Sequence, residues 1–197
     1  MPKIVDHDQR RREIAESVLD IVAAEGVPAA TLRRVAAESG FAMSTIQHYF
    51  ETTQAMLRFA LAMLERRKAE RIAARVYAEW HNGPRAVIEG VFDEVLPLTP
   101  ERLRVATIGV AYYVAWRQDR ELRAVLVQDV PAAIAGFAAV VREGQRLGQI
   151  DPTRDADREA KLLFTFADAL AANIVIGYQQ ADEAQRTAAY YLDRLFT

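Results

Sequence analysis

Residues 32–50 read LRRVAAESGFAMSTIQHYF, and this stretch decides the fold of the chain. Two apolar patterns with helical spacing are separated here by Gly40, a residue that readily adopts the positive φ needed at a tight bend. Val35 and Ala36 supply the apolar residue and the small residue required where two short helices cross. The stretch therefore predicts a helix-turn-helix whose second helix covers Met43 to Phe50.

The second of these helices has two different sides. Ile46, Tyr49 and Phe50 share the side that would pack against the preceding helices. The opposite side is small, polar and free of carboxylates, and it comprises Met43, Ser44, Gln47 and His48. Acids there would meet phosphates, whereas a glutamine can bond an adenine edge and a methionine can touch a thymine methyl group. This side suits the major groove of DNA, although an ordinary helical hairpin with solvated arginines also fits the spacing.

Arginines cluster at two predicted helix starts. Positions 10–12 are all arginine and lie in the first turn of the first helix, while Arg33 and Arg34 lie in the first turn of the second. Cations at a helix N-terminus oppose the helix dipole. Phosphate oxygens bonded by the guanidinium groups, by Thr31 and by exposed N–H groups would compensate for this.

Nearly every other segment also has helical periodicity, and turn residues separate the segments. We predict an all-α fold of about nine helices. Their expected ranges are 8–25, 31–38, 43–50, 52–80, 85–96, 100–117, 120–147 with a bend or interruption at Pro131, 158–178 and 182–196. The long fourth helix would join a small N-terminal domain, residues 1–52, to a larger helical bundle, residues 53–197.

Composition narrows the class of protein. With 197 residues, of which 51% are hydrophobic, the chain can bury a sizeable core without metals or bridges. It has no cysteine, which excludes disulfides, thiolate nucleophiles and cysteine-ligated zinc. We find no signal-peptide core and no apolar run near the roughly 20 residues that span a bilayer, and we expect a cytoplasmic protein without membrane association. The net charge of −2 does not favour binding to nucleic acid. The argument for DNA binding therefore rests on where the charges lie and not on their sum.

Signals for catalysis are weak. Histidine occurs only at positions 7, 48 and 81, none of them with an acid or second histidine at metal-ligand spacing, and His7 is expected in a mobile tail. Phosphate-binding, nucleophile-elbow and dinucleotide motifs are also missing. We expect no enzymatic activity, metal or cofactor. Two alternatives stay open: a helical enzyme or carrier in which residues 32–50 are only a cap, and a pure dimerisation module.

The stretch from Arg12 to Leu57 resembles the DNA-binding domain of the TetR family of bacterial regulators. The residues that carry the resemblance are Ile14, Ala15, Ala24-Glu25-Gly26, Thr31, Val35-Ala36, Ser39-Gly40-Phe41, Ser44-Thr45-Ile46, Tyr49-Phe50 and Met56-Leu57. This combination, with its distance from the N-terminus, is highly specific. Residues 46–50, IQHYF, are most similar to members with a C-terminal domain of the betaine-regulator type.

The resemblance implies a transcriptional regulator, by family default a repressor, that a small-molecule ligand releases from a palindromic DNA operator. It implies that Thr31, Thr45 and Tyr49 touch phosphates and that the outward side of the second short helix faces bases or backbone. With the two arginines at the start of the second helix included, the predicted DNA-binding residues are Thr31, Arg33, Arg34, Met43, Ser44, Thr45, Gln47, His48 and Tyr49.

Three features depart from the family pattern. Ala42 stands where a serine or threonine usually caps the recognition helix, so the start of that helix is less well secured. Gln47 replaces a common tyrosine, and Thr53-Gln54 replaces a frequent Lys-Glu pair that favours a phosphate contact. Affinity for DNA is therefore expected to be lower, or to depend more on the arginines.

The resemblance implies that residues 53–197 bind a ligand and form a homodimer through the last two helices. The helix 158–178 is apolar nearly all round, so it needs neighbours on two sides. One stripe contains Leu163, Ala167, Leu170, Ile174 and Gly177, and the other contains Phe164, Ala171, Val175 and Tyr178. One stripe would face its own bundle and the other a twin subunit, with Ala188, Tyr191, Leu192, Leu195 and Phe196 of the last helix completing the interface.

The candidate ligand contacts are Phe92, Tyr112, Tyr113, Trp116, Phe137 and Asp168. Aromatic side chains could line a cavity, and the carboxylate could orient a polar or cationic small-molecule effector. Aromatic residues at helical spacing are more often part of a packed core, and the carboxylate could pair with an arginine or cap a network. Both interpretations stay open from the sequence.

Overall fold

The computed structural model describes residues 7–115 and 119–196, and in these ranges the protein is all-α, as predicted. Its helices are α1 (His7–Glu25), α2 (Leu32–Ser39), α3 (Met43–Tyr49), α4 (Thr53–Glu79), α5 (Pro84–Val95), α6 (Pro100–Ala115), α7 (Arg120–Val127), α8 (Val130–Arg146), α9 (Ala156–Val175) and α10 (Ala181–Leu195). Short 3₁₀ turns cover Val27–Ala29 and Trp80–Asn82.

The predicted helix over 120–147 is two helices, which is why the described residues contain one helix more than expected. The break falls at Gln128 and Asp129, just before Pro131. Proline lacks a backbone N–H and is tolerated only in the first turn of a helix, which is where Pro131 lies in α8. The interruption expected from the sequence is therefore present.

Among the described residues, the stretch Arg120–Arg146 has the length and composition of a membrane span, with a mean hydropathy of 1.9 in an 18-residue window. The sequence-based expectation that no segment has the length and hydropathy of a membrane span is therefore not met. Asp129 lies within the stretch, at the break between α7 and α8. A carboxylate and an interrupted helix are both unfavourable in hydrocarbon, so the composition of this stretch is weak support for a membrane span.

The described residues form two compact units. The first unit contains those within 1–67 and 107–127, and the second contains those within 68–106 and 128–196. Helices α4 and α6 contribute residues to both units. The functional boundary placed at residue 52 from the sequence stays a prediction.

In the first unit, α1 packs against α2, and α2 packs against α3. Each helix buries its apolar side, as Ile14, Val35 and Ile46 illustrate by being wholly inaccessible to solvent. Gly40 ends α2 at φ 71°, in the left-handed region that glycine enters without a steric penalty. The bend between the two short helices therefore forms where the sequence places it.

In the second unit, α9 packs against α8, and α5 contacts α8, α9 and α10. The first apolar stripe of α9 contributes Leu163, Ala167 and Leu170 to the core of this unit. The second stripe is half-buried over Phe164, Ala171 and Val175 and exposed at Tyr178.

The structure corrects one assignment for the last helix. Ala188, Leu192, Leu195 and Phe196 are buried in the core of their own unit, so they are not available to a partner. Tyr191 is half-buried, and its hydroxyl donates to the Glu159 carboxylate at 2.8 Å. Helical spacing identified the apolar face of α10 correctly, but spacing alone does not say which neighbour covers that face.

Candidate nucleic-acid interface

The outward face of α3 is open to solvent. Met43, Ser44, Gln47 and His48 are all exposed, while Ile46 and Phe50 are buried behind them. The exposed face carries no carboxylate. The structure therefore has the two-sided α3 that the sequence predicts, with side chains suited to base edges on the solvent side.

The start of α3 has no side-chain cap. Ala42 occupies the N-cap position with φ −59° and ψ 145°, and it has no side-chain acceptor for the first N–H groups. At the other end, the Phe50 N–H donates to the Ile46 carbonyl at 2.9 Å. The weakness expected from Ala42 is therefore present, and α3 depends on the packing of Ile46 and Phe50 for its stability.

Thr31 caps α2, because its hydroxyl oxygen accepts the N–H of Arg34 at 3.2 Å. The hydroxyl proton of this exposed side chain is not used by the cap and can still be donated to another group. Thr45 and Tyr49 are half-buried on α3. All three residues predicted to touch phosphates thus lie on the first unit with part of the side chain accessible.

Arg34 is engaged within the protein. Its guanidinium donates to the Glu25 carboxylate at 2.7 Å and to the Glu38 carboxylate at 2.7 Å. These two hydrogen bonds, the one with Glu25 foremost, raise the pKa of Arg34 above its usual value. Arg33 is exposed one residue earlier and makes no ion pair among the residues that the structure describes. The two adjacent arginines therefore differ in how much uncompensated charge they offer to DNA.

Two arginines in the first turns of α1 pack on aromatic rings. The guanidinium carbon of Arg10 lies 4.6 Å from the Phe41 ring centroid. That of Arg11 lies 5.1 Å from the Phe50 centroid and 4.3 Å from the Phe59 centroid. Such cation–π contacts favour the charge without any phosphate. For these two side chains, aromatic rings of the protein provide the compensation that we expect from DNA phosphates on the sequence alone.

His7 was expected in a mobile tail, but it is the first residue of α1 and contacts α3. Its ring centroid lies 4.7 Å from the Tyr49 ring and 6.3 Å from the His48 ring. The contact joins residues about forty positions apart in the sequence, and no local pattern announces it. His7 is thus a residue of this surface that sequence reasoning missed.

The predicted ligand contacts divide between the two units. In the second unit, the buried rings of Phe92 and Phe137 have centroids 6.5 Å apart, and Asp168 is exposed. Phe166, which the sequence analysis did not single out, lies 6.2 Å from Phe92. Phe92, Phe137 and Phe166 therefore form one aromatic cluster.

Tyr112 and Tyr113 belong to the first unit. Tyr112 is completely buried, and its hydroxyl donates to the Leu57 carbonyl at 3.1 Å. Burial raises the pKa of Tyr112 well above the usual range of a phenol, so its hydroxyl keeps the proton that it donates. Tyr113 is 60% exposed. Trp116 lies outside the described residues.

A pocket of about 170 Å³ lies in the second unit. It is lined by Trp80, His81, Gly83, Pro84, Val87, Val140, Glu143 and Leu147. Sites for organic ligands are commonly about 300 Å³ or more, so this pocket admits only a few atoms. The described residues also contain no group of three side chains able to hold a metal ion.

Comparison with known proteins agrees with this geometry. Residues 84–197, more than half of the chain, match the family described as "BetI-type transcriptional repressor, C-terminal". The HTH-type transcriptional regulator PksA of Bacillus subtilis (strain 168) is 25% identical over 176 residues, covering 89% of this chain and 83% of that protein. The HTH-type transcriptional regulator BetI 2 of Chromohalobacter salexigens is 26% identical over 204 residues, covering 100% of this chain and 93% of the relative.

The fold is also that of known regulators. A transcriptional regulator from Saccharomonospora viridis, solved in complex with choline, superposes with a TM-score of 0.84 at 20% identity, over 96% of this chain and 99% of that chain. The resemblance read from the helix-turn-helix is confirmed by the independent match of the C-terminal residues. The chain belongs to the TetR family of DNA-binding transcriptional regulators and carries a C-terminal domain of the BetI type.

Proposed function

We propose that the protein is a repressor that binds a palindromic operator through α3 and is released from it by a small-molecule effector. The observation that carries the proposal is the exposed, acid-free face of α3. Gln47 would bond a base edge, Met43 and Ser44 would contact neighbouring bases, and His48 would lie at the backbone. Thr31, Thr45, Tyr49 and the adjacent arginines Arg33 and Arg34 would hold phosphates on either side.

The proposed operator is palindromic because the proposed repressor is a symmetric dimer. Exposed apolar side chains on α9 and just after it support this, since Leu162, Ile176 and Tyr178 are 55%, 67% and 79% exposed. Tyr190 on α10 is 63% exposed. A second copy would cover these residues and present two α3 helices about one DNA turn, roughly 34 Å, apart.

The effector proposed here is a small organic cation. The candidate contacts in the second unit are the buried aromatic rings of Phe92 and Phe137 and the exposed carboxylate of Asp168. Aromatic faces attract quaternary ammonium groups, and a carboxylate attracts the same charge. The structural neighbour that was solved with choline makes choline the first probe to use. An effector of this kind would favour a dimer whose two α3 helices are wrongly spaced for the operator.

We place this activity in the cytoplasm, where bacterial operators are accessible, and assign no catalytic step to the protein. A helical enzyme or carrier would turn over or retain its small molecule without DNA. A regulator would retain specific DNA, with an affinity that falls steeply as salt rises.

The test begins by selecting genomic fragments that the purified protein retains and footprinting the enriched sequence. Operator affinity is then measured at several salt concentrations, with and without choline. The proposal expects a protected palindrome, a steep salt dependence and weaker binding in choline. Retention of all fragments alike would contradict operator recognition, and unchanged affinity in choline would contradict the cationic effector class.

A further inference from the structure

Three rings from α1 and α3 meet at the edge of the proposed DNA-binding surface. Tyr49 has the His7 ring centroid at 4.7 Å and the His48 ring centroid at 5.1 Å, and the two imidazole centroids are 6.3 Å apart. His7 and His48 are exposed, whereas Tyr49 is half-buried. Two solvent-accessible imidazoles therefore flank one phenol.

The charged residues adjacent to these rings in sequence are few. They are Asp6 directly before His7 in the sequence, Asp8 and the three arginines at positions 10–12 in α1, and Glu51 directly after α3. Arg10 pairs with Glu13 at 2.7 Å, and Arg11 packs on two phenylalanine rings, so both guanidinium groups have contacts elsewhere. The first turn of α4, which follows, is uncharged until Arg58.

We infer that His7, His48 and Tyr49 form a proton-responsive phosphate contact, so that the protein binds DNA more tightly as the pH falls. The inference rests on the proposed DNA-binding role of α3. The imidazole separation is short enough for both rings to reach a single phosphate group, and protonated imidazoles are donors at both nitrogens. Packing of His7 against Tyr49 would also hold the phenol in place for its own phosphate contact.

The direction of the effect follows from linkage. Histidine ordinarily changes charge at pH ~6.5, within the physiological range. A bound phosphate favours the charged form, so DNA binding takes up protons, and affinity rises as pH falls until the free protein is protonated as well. One linked proton changes affinity by at most about tenfold per pH unit, and we expect about a three- to tenfold gain in total between pH ~8 and pH ~6.

The probe is a fluorescein-labelled duplex of random sequence, because a phosphate contact does not depend on base sequence. Fluorescence anisotropy gives its affinity across this pH range at constant ionic strength. The variants are His7→Gln, His48→Gln and the double variant, and the matched control is His81→Gln, the remaining histidine, which lies in the second unit. Circular dichroism shows whether each variant is folded. His7→Lys supplies a charge that does not titrate in this range.

The inference expects wild type and His81→Gln to share the same rise in affinity, and the double variant to lose it. His7→Lys should bind more tightly than wild type at the alkaline end and depend less on pH. A double variant that keeps the wild-type pH profile would overturn the inference. If the affinity of wild type does not change with pH while operator recognition is intact, the inference is overturned and the proposed function stands. If wild type binds no duplex at any pH, the proposed function is overturned as well.

Discussion

The hydroxyl of Tyr112 in α6 donates to the backbone carbonyl of Leu57 in α4 at 3.1 Å, inside the first unit. We expect Tyr112→Phe to lower the free energy of unfolding by about 1 kcal/mol, the usual net value of one intramolecular hydrogen bond. The cost stays moderate because Leu57 is inside a helix and its carbonyl keeps a helical partner. Urea unfolding measures the change.

Tyr113→Phe is the control for this prediction, because it removes the same group from a side chain that is 60% exposed. Its effect on stability should stay within about 0.5 kcal/mol. If Tyr112→Phe instead keeps wild-type stability and lowers the affinity for an effector, Tyr112 is a ligand contact as the sequence suggested, and its packing role is secondary.

Gln47→Ala should weaken discrimination between the operator and altered operators by about tenfold, because one bidentate base contact carries roughly 1–3 kcal/mol of discrimination. The fold should not change, since Gln47 is exposed. Competition binding with single-base operator variants measures this. Gln128→Ala, an exposed glutamine between α7 and α8, should leave the preference intact. Equal sequence preference in wild type and Gln47→Ala would remove this residue from base recognition.

Arg33→Ala should weaken binding to all duplexes and reduce the slope of log affinity against log salt by about 0.9, the value for one phosphate contact. Arg34→Ala should reduce the slope less, because Glu25 and Glu38 already offset the charge of Arg34. Anisotropy titrations over a salt series measure both slopes. An equal loss in the two variants would show that Arg34 leaves its carboxylates when DNA binds.

Gly40→Ala should destabilise the protein by about 1 kcal/mol, because its φ of 71° is a left-handed conformation that alanine adopts only with strain. An added Cβ at Gly40 would meet no atom within 4 Å, so the cost is conformational and not steric. Gly136→Ala is the matched control, since it is inside α8 with equal space and an ordinary helical φ. That variant should gain about 0.5–1 kcal/mol. Thermal unfolding should show a lower midpoint temperature than wild type for Gly40→Ala and a higher one for Gly136→Ala.

Ala169→Arg should convert the proposed dimer to monomers and lower operator affinity. Ala169 lies on the exposed side of α9 between Leu162 and Ile176, where a close-packed partner would leave no room for a charged side chain. Light scattering after gel filtration measures the oligomeric state. Ala73→Arg, at an exposed position of α4, introduces the same charge and should remain dimeric. A dimeric Ala169→Arg protein would place the interface elsewhere.

The features that the sequence predicted are those set by residues close together in the chain. The bend lies at Gly40, Thr31 caps α2, and Ala42 leaves the start of α3 without a side-chain cap. Each of these features depends only on the backbone within a few residues. The exposed side of α3 followed in the same way from the spacing of its apolar residues.

The features that were missed depend on which helices become neighbours. Glu25 and Arg34 are nine positions apart and meet across a turn, while His7 and Tyr49 meet across two helices. The apolar face of α10 was recognised, but Leu192 turned out to cover its own core. Periodicity specifies that a face is buried, and only tertiary packing specifies by what.

Arg11 is held between Phe50 at the end of α3 and Phe59 of α4. A seven-residue helix has no independent existence in water, where about 12 or more residues are needed for marginal stability. This clamp stabilises α3 before any DNA is bound, so the proposed association with an operator would require no folding of α3. The association rate would then depend on diffusion, orientation and electrostatic attraction.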